Sequence, residues 1–96
     1  MYNKKYIIEK IEEFNGHNPI YDGVEGRIAY PAYFNVGERG WFLYEADGLD
    51  SWFTSAHRIH TSIVNNIEYF DNMAYCDDYF IVETQNTRFT FRLISD

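Results

Sequence analysis

A chain of 96 residues with a formal charge of −7 has room for one hydrophobic core, and its acidity argues against docking on the phosphates of a nucleic acid or an anionic membrane. Hydrophobic residues make up 46% of it, too many for a disordered chain, and no run approaches the ~18 apolar residues of a membrane span. The one cysteine, Cys76, excludes an internal disulfide, so the expectation is a single domain over residues 1–96 in the cytoplasm.

Residues 4–14 carry two patterns at once. Ile7, Glu9, Ile11 and Glu13 alternate as a strand does, while Ile7, Ile8, Ile11 and Phe14 form a helical stripe bounded by Asn3 and by Asn15-Gly16. The strand is preferred because the rest of the chain is strand-rich and a curled sheet would gain an edge partner. A short helix is the alternative. Residues 15–26, with Gly16, Pro19, Gly23 and Gly26, read as a long loop.

Two strands follow, residues 27–33 and 41–46, joined by a turn with Gly37 and Gly40. The second begins Trp41-Phe42-Leu43-Tyr44 and is apolar without interruption, which predicts a strand covered on both faces. Residues 47–50 are an acidic turn, and Trp52-Phe53-Thr54 starts another short strand. Residues 58–70 read as strand with an irregularity near Ser62 or Asn65-Asn66, and 71–78 as a polar connection.

Residues 78–94 predict a hairpin. A two-residue turn at Gln85-Asn86 sets Thr84 against Thr87, Glu83 against Arg88, Val82 against Phe89 and Phe80 against Phe91. The apolar face and the Glu83–Arg88 pair then agree on one register. The fold class expected is mainly β: a small barrel or rolled antiparallel sheet of five to six strands, SH3-like or OB-like in scale.

No pattern of catalytic or metal-binding residues stands out, and the chain reads as non-enzymatic with no cofactor. His57 and His60 lie three apart on a strand, where they point to opposite faces and cannot share a metal ion. The thiol of Cys76 is followed by Asp77 and Asp78, which oppose a thiolate. The carboxylate pairs Glu12/Glu13, Asp47/Asp50 and Asp77/Asp78 sit in turns or at alternating surface positions.

The aromatics carry the functional expectation. There are nine Tyr, eight Phe and two Trp, and filling a core with Phe80, Phe89, Phe91 and Trp41 leaves others outside. Between Arg58 and Arg88 no Lys or Arg occurs. The expectation is a protein that binds a basic partner surface through Glu45, Asp47, Asp50, Glu68, Asp71, Asp77 and Asp78, with Trp52, Phe53 and Tyr79 as aromatic contacts. Carboxylates on a rigid sheet can imitate a row of phosphates, so an inhibitor or modulator of a nucleic-acid-binding enzyme fits. In size and charge the chain is similar to small inhibitors of phages and mobile elements, such as anti-CRISPR proteins, antirestriction proteins and DNA mimics; that likeness rests on no motif.

Two other readings use different residues. Arg58, His60, Thr61 and Ser62 form a compact cluster of donors, which Arg27, Arg39, Arg88 or Arg92 could join in a folded barrel, for binding a nucleotide or small anion. The third is a homo-oligomer paired through edge strands.

Overall fold

The computed structural model describes residues 5–45, 56–72 and 77–95. Six antiparallel strands follow one another around a closed ring: β1 (Lys5–Glu13), β2 (Ile28–Tyr33), β3 (Arg39–Glu45), β4 (Ala56–Asn72), β5 (Asp77–Thr84) and β6 (Thr87–Ser95), with β6 returning to pair with β1. The expected strand start at Trp52 lies outside the described residues.

β1 is a strand, and a bulge explains why it looks half helical. Ile8 pairs with Phe91 and Lys10 with Thr90, so Glu9 is one residue too many and the inward side shifts by one. Ile8 is therefore fully buried and Ile11, three residues on, also packs against the core. A spacing of three mimics a helix, but β6 supplies backbone partners and opposite charges: Arg92 meets Glu9, and Arg88 meets Glu12 at 3.1 Å. Tertiary pairing overrides helix propensity here.

The C-terminal hairpin has the expected register, with Glu83 opposite Arg88, Val82 opposite Phe89 and Phe80 opposite Phe91. Its turn is tied by Thr84, whose buried hydroxyl accepts from the Thr87 amide at 3.0 Å and donates to the Thr87 carbonyl at 3.1 Å. Arg88 joins β5 to β1 by reaching Glu83 at 2.8 Å as well as Glu12.

β4 crosses two neighbours and bends twice to do so. Its first half pairs with β3 and its second with β5. Arg39 pairs with Ile63 and Trp41 with His60, so Thr61 and Ser62 together face Gly40. Further on, Val64 pairs with Thr84 and Asn66 with Glu83, leaving Asn65 as the extra residue. Both sites suspected of irregularity are thus bulges, and they bend the strand around the barrel.

The interior is a stack of rings. Phe42, Phe89 and Phe91 are fully buried, with centroid separations of 5.4 Å between Phe42 and Phe89 and 5.3 Å between Phe42 and Phe91. Phe34, from the β2–β3 loop, tilts onto Phe91 at 5.7 Å and closes the space between the strands. Trp41 departs from expectation. Phe42 takes the inward position on β3, so alternation turns Trp41 to the outer face, half-buried beneath the Arg58 guanidinium at 4.6 Å.

The segment between β1 and β2 does more than connect. A 3-10 turn (Pro19–Tyr21), capped by Asn18, brings Tyr21 edge-on to Phe89 at 5.6 Å, and Val24 is fully buried. His17 anchors this segment by bonding Glu13 at 2.7 Å and Asp22 through its other ring nitrogen. The Glu13 and Asp22 carboxylates hold the imidazolium above its ordinary value of 6.5. The Asn18 amide, then His17, hold the Glu13 carboxyl below its ordinary 4.5.

A pH dependence follows from these two shifts. His17's contribution is complete below 6.5 and is lost as the pH rises through its raised folded value. That of Glu13 is complete above 4.5 and is lost as the pH falls through its lowered one. The stability difference between the wild type and His17→Asn is expected to be largest between these limits and to shrink on either side. Denaturation midpoints measured across pH check this, and a difference that does not vary with pH would refute it.

Candidate functional site

β1 and β4 each contribute to both an aromatic mouth and a polar cavity. The aromatic mouth, about 230 Å³, is lined by Tyr6, Pro31, Ala32, Tyr33, Phe34, Tyr69 and Phe80. Tyr6 stands edge-on to Phe80 at 5.2 Å, and Tyr69 lies tilted over Phe80 at 5.6 Å while remaining 77% exposed. Tyr33 is pinned at the rim, its hydroxyl donating to Glu38 at 2.7 Å; that carboxylate raises the phenol's pKa.

The β4–β5 hairpin extends from this mouth. Its register runs Ile67 with Val82, Tyr69 with Phe80, then Asp71 with Asp78 and Asn72 with Asp77. An aromatic pair is therefore followed two positions later by two aspartates as direct register partners. Glu68 lies one position from Tyr69, is exposed and accepts from the Asn66 amide at 3.2 Å.

Four of the seven expected partner-binding acids, Glu68, Asp71, Asp77 and Asp78, thus fall on one hairpin, and half-buried Tyr79 lies on it too, paired with Phe70 and Arg92. Glu45 is elsewhere, at the end of β3 opposite Ala56, and accepts from the Tyr30 hydroxyl. Burial, then Glu45, pushes the Tyr30 phenol up to about 12. Asp47, Asp50, Trp52 and Phe53 lie outside the described residues. Sequence reasoning overlooked Tyr69 and Tyr33, whose exposure at a rim depends on where the ring of strands closes.

The polar cavity, about 250 Å³, gathers Glu13, Asn18, Ile20 and Tyr21 from β1 and its loop, Arg39 from β3, His60, Thr61 and Ser62 from β4, and Asn86 and Thr87 from the hairpin turn. Three of the four residues in the expected donor cluster line it. Arg58 does not; it lies over Trp41 on the outer face. Arg39 takes its place, because the β3–β4 register sets it opposite Ile63, one residue past the bulge.

The bulge also sets the hydroxyls. The Thr61 hydroxyl accepts from the Gly40 amide at 3.0 Å and donates to the Ser62 carbonyl at 2.8 Å, so it serves the backbone. The Ser62 hydroxyl oxygen is buried and has no hydrogen-bond partner among the described residues. An unmet group of that kind costs about 1–3 kcal/mol.

Among the described residues, no His, Cys, Asp and Glu cluster as a metal site would require, and no helix is long and apolar enough to cross a membrane. Comparison of the chain with protein-family profiles, with curated proteins and with solved structures found no match.

Proposed function

We propose that this protein is a non-enzymatic interaction module that binds a basic surface of a partner protein through the aromatic mouth and the β4–β5 hairpin. The observation that supports this reading is the sequence of register pairs along the hairpin, Tyr69 with Phe80 and then Asp71 with Asp78. An exposed aromatic beside concentrated carboxylates offers apolar contact area and attraction to cations together. A groove that ordinarily holds nucleic acid is a basic surface of this kind, and occupying it would inhibit the enzyme that owns it.

Reversing one charge of the hairpin gives a test. Asp71→Lys reverses one charge on the proposed surface, at a position whose register partner is Asp78. The same change should weaken a basic partner by about tenfold or more, equivalent to about 1.4 kcal/mol. Partners captured from a lysate on the immobilised protein and then purified supply the binding measurement. Affinity should fall as salt rises, and duplex DNA should compete. Binding indifferent to salt and to Asp71→Lys would rule the reading out.

A further inference from the structure

We infer that the polar cavity at the β4 bulge is a binding site for a small oxyanion, a phosphate monoester or a carboxylate, held by Arg39, His60 and Ser62. This inference is independent of the partner surface, because the cavity and the aromatic mouth share no lining residue.

The disposition of the arginines is the first reason. The chain has 15 Asp and Glu against eight Lys and Arg, so a carboxylate is seldom far from an arginine. Every other described arginine is engaged: Arg27 with the Gly23 carbonyl, Arg58 with the Trp41 ring, Arg88 with Glu12 and Glu83, and Arg92 with Glu9. The Arg39 side chain makes no ion pair, hydrogen bond or ring contact with any described residue, and Arg39 lines the cavity. A guanidinium unpaired among the described residues keeps its fork of donors for a planar or tetrahedral oxyanion.

The bulge is the second reason. It brings Ser62 to the cavity with a buried hydroxyl that no described group satisfies. Thr61, next to it, is satisfied twice over, so the lack at Ser62 belongs to that site and not to the strand as a whole. His60 completes the set: its ring lies 6.2 Å from Trp41 and makes no hydrogen bond with a described residue. Residues carrying a guanidinium, an imidazole and a hydroxyl thus line one cavity, each with donor capacity to spare among the described residues.

Glu13 is the lining group that opposes an anion. Its carboxylate already accepts from the Asn18 amide at 2.6 Å and from His17 at 2.7 Å, which offsets its charge. The oxyanion therefore belongs on the β3–β4 side of the cavity, away from Glu13.

Calorimetric titration and thermal shift of the full chain test this with inorganic phosphate, a nucleoside monophosphate, citrate and, as a neutral control, ribose. Saturable binding of at least one anion and none of ribose is expected, and the preferred probe separates a phosphate ligand from a carboxylate. Arg39→Gln should weaken that anion about tenfold or more, since it removes a charge-assisted bond. Ser62→Ala is the distinguishing variant. It should weaken the anion while leaving the unliganded melting temperature unchanged or higher, because it removes an unmet buried hydroxyl. A residue with a merely structural role would lower that temperature. Absence of binding to every anion at millimolar concentration, equal binding of ribose, or affinity unchanged in Arg39→Gln would overturn the inference.

Discussion

Phe91→Ala is expected to destabilise the protein by about 3–5 kcal/mol, the range for removing a fully buried aromatic ring. Its ring touches most of the others that fill the barrel: Phe80 at 5.0 Å, Phe42 at 5.3 Å, Phe34 at 5.7 Å and Phe89 at 6.1 Å. Those neighbours are carried by separate strands and a loop held at fixed spacing, so the cavity left behind cannot readily collapse. Domains of this size are stable by only about 5–15 kcal/mol, so the variant stands near the limit of folding. Urea denaturation measures the effect, and Phe91→Leu, which retains more of the volume, should cost distinctly less. A loss below about 1 kcal/mol for Phe91→Ala would mean that the ring stack is not the core. The aromatic mouth should suffer with it, because Tyr6 also stands edge-on to Phe91 at 6.5 Å.

Gly40→Ala is expected to cost about 1–3 kcal/mol or more, through overpacking. A Cβ at this position would lie 2.3 Å and 2.7 Å from two ring carbons of Phe34 and 2.8 Å from the Tyr33 carbonyl oxygen. The ring has no room to retreat, because Phe34 is already against Phe42, Phe80 and Phe91, and the carbonyl is backbone. Gly40 is thus required for space, in contrast to Gly37, whose φ of 92° favours glycine on conformational grounds. The effect should reach both ends of the barrel. Moving Phe34 disturbs the aromatic mouth, and moving the Gly40 amide strains its bond to Thr61 at the bulge. Denaturation together with near-ultraviolet circular dichroism checks this. A variant as stable as the wild type, with an unchanged aromatic signal, would contradict it.

The parts of this fold that were legible in the amino-acid order are those that short-range rules govern. The C-terminal hairpin is one, since alternation of Phe80, Val82, Phe89 and Phe91 and the charges of Glu83 and Arg88 admit one register. The bulges of β4 are another: near Ser62 and Asn65 the alternation falters, and there the strand inserts its extra residues. β1 was ambiguous for a physical reason. A bulge at Glu9 puts Ile8 and Ile11 on one side at a spacing of three, and only pairing with β6 distinguishes that from a helix.

Candidate sites were legible only in part. His60, Thr61 and Ser62 are neighbours in the chain and could be grouped from it, whereas Arg39 joins them, in place of Arg58, through a register between strands. The apolar run Trp41 to Tyr44 does not by itself say which of its residues faces in; Phe42 does, and Trp41 is half-buried on the outer face. Val24 and Tyr21 look like loop residues because glycines and a proline surround them, and they are buried or half-buried because the loop packs onto the core, Tyr21 edge-on to Phe89. The sequence by itself determined the class of fold, the pairing of its last two strands and the abundance of carboxylates and rings. Only the tertiary structure decided which of these share a surface, because closing the ring of strands joins residues that alternation along a single strand cannot relate.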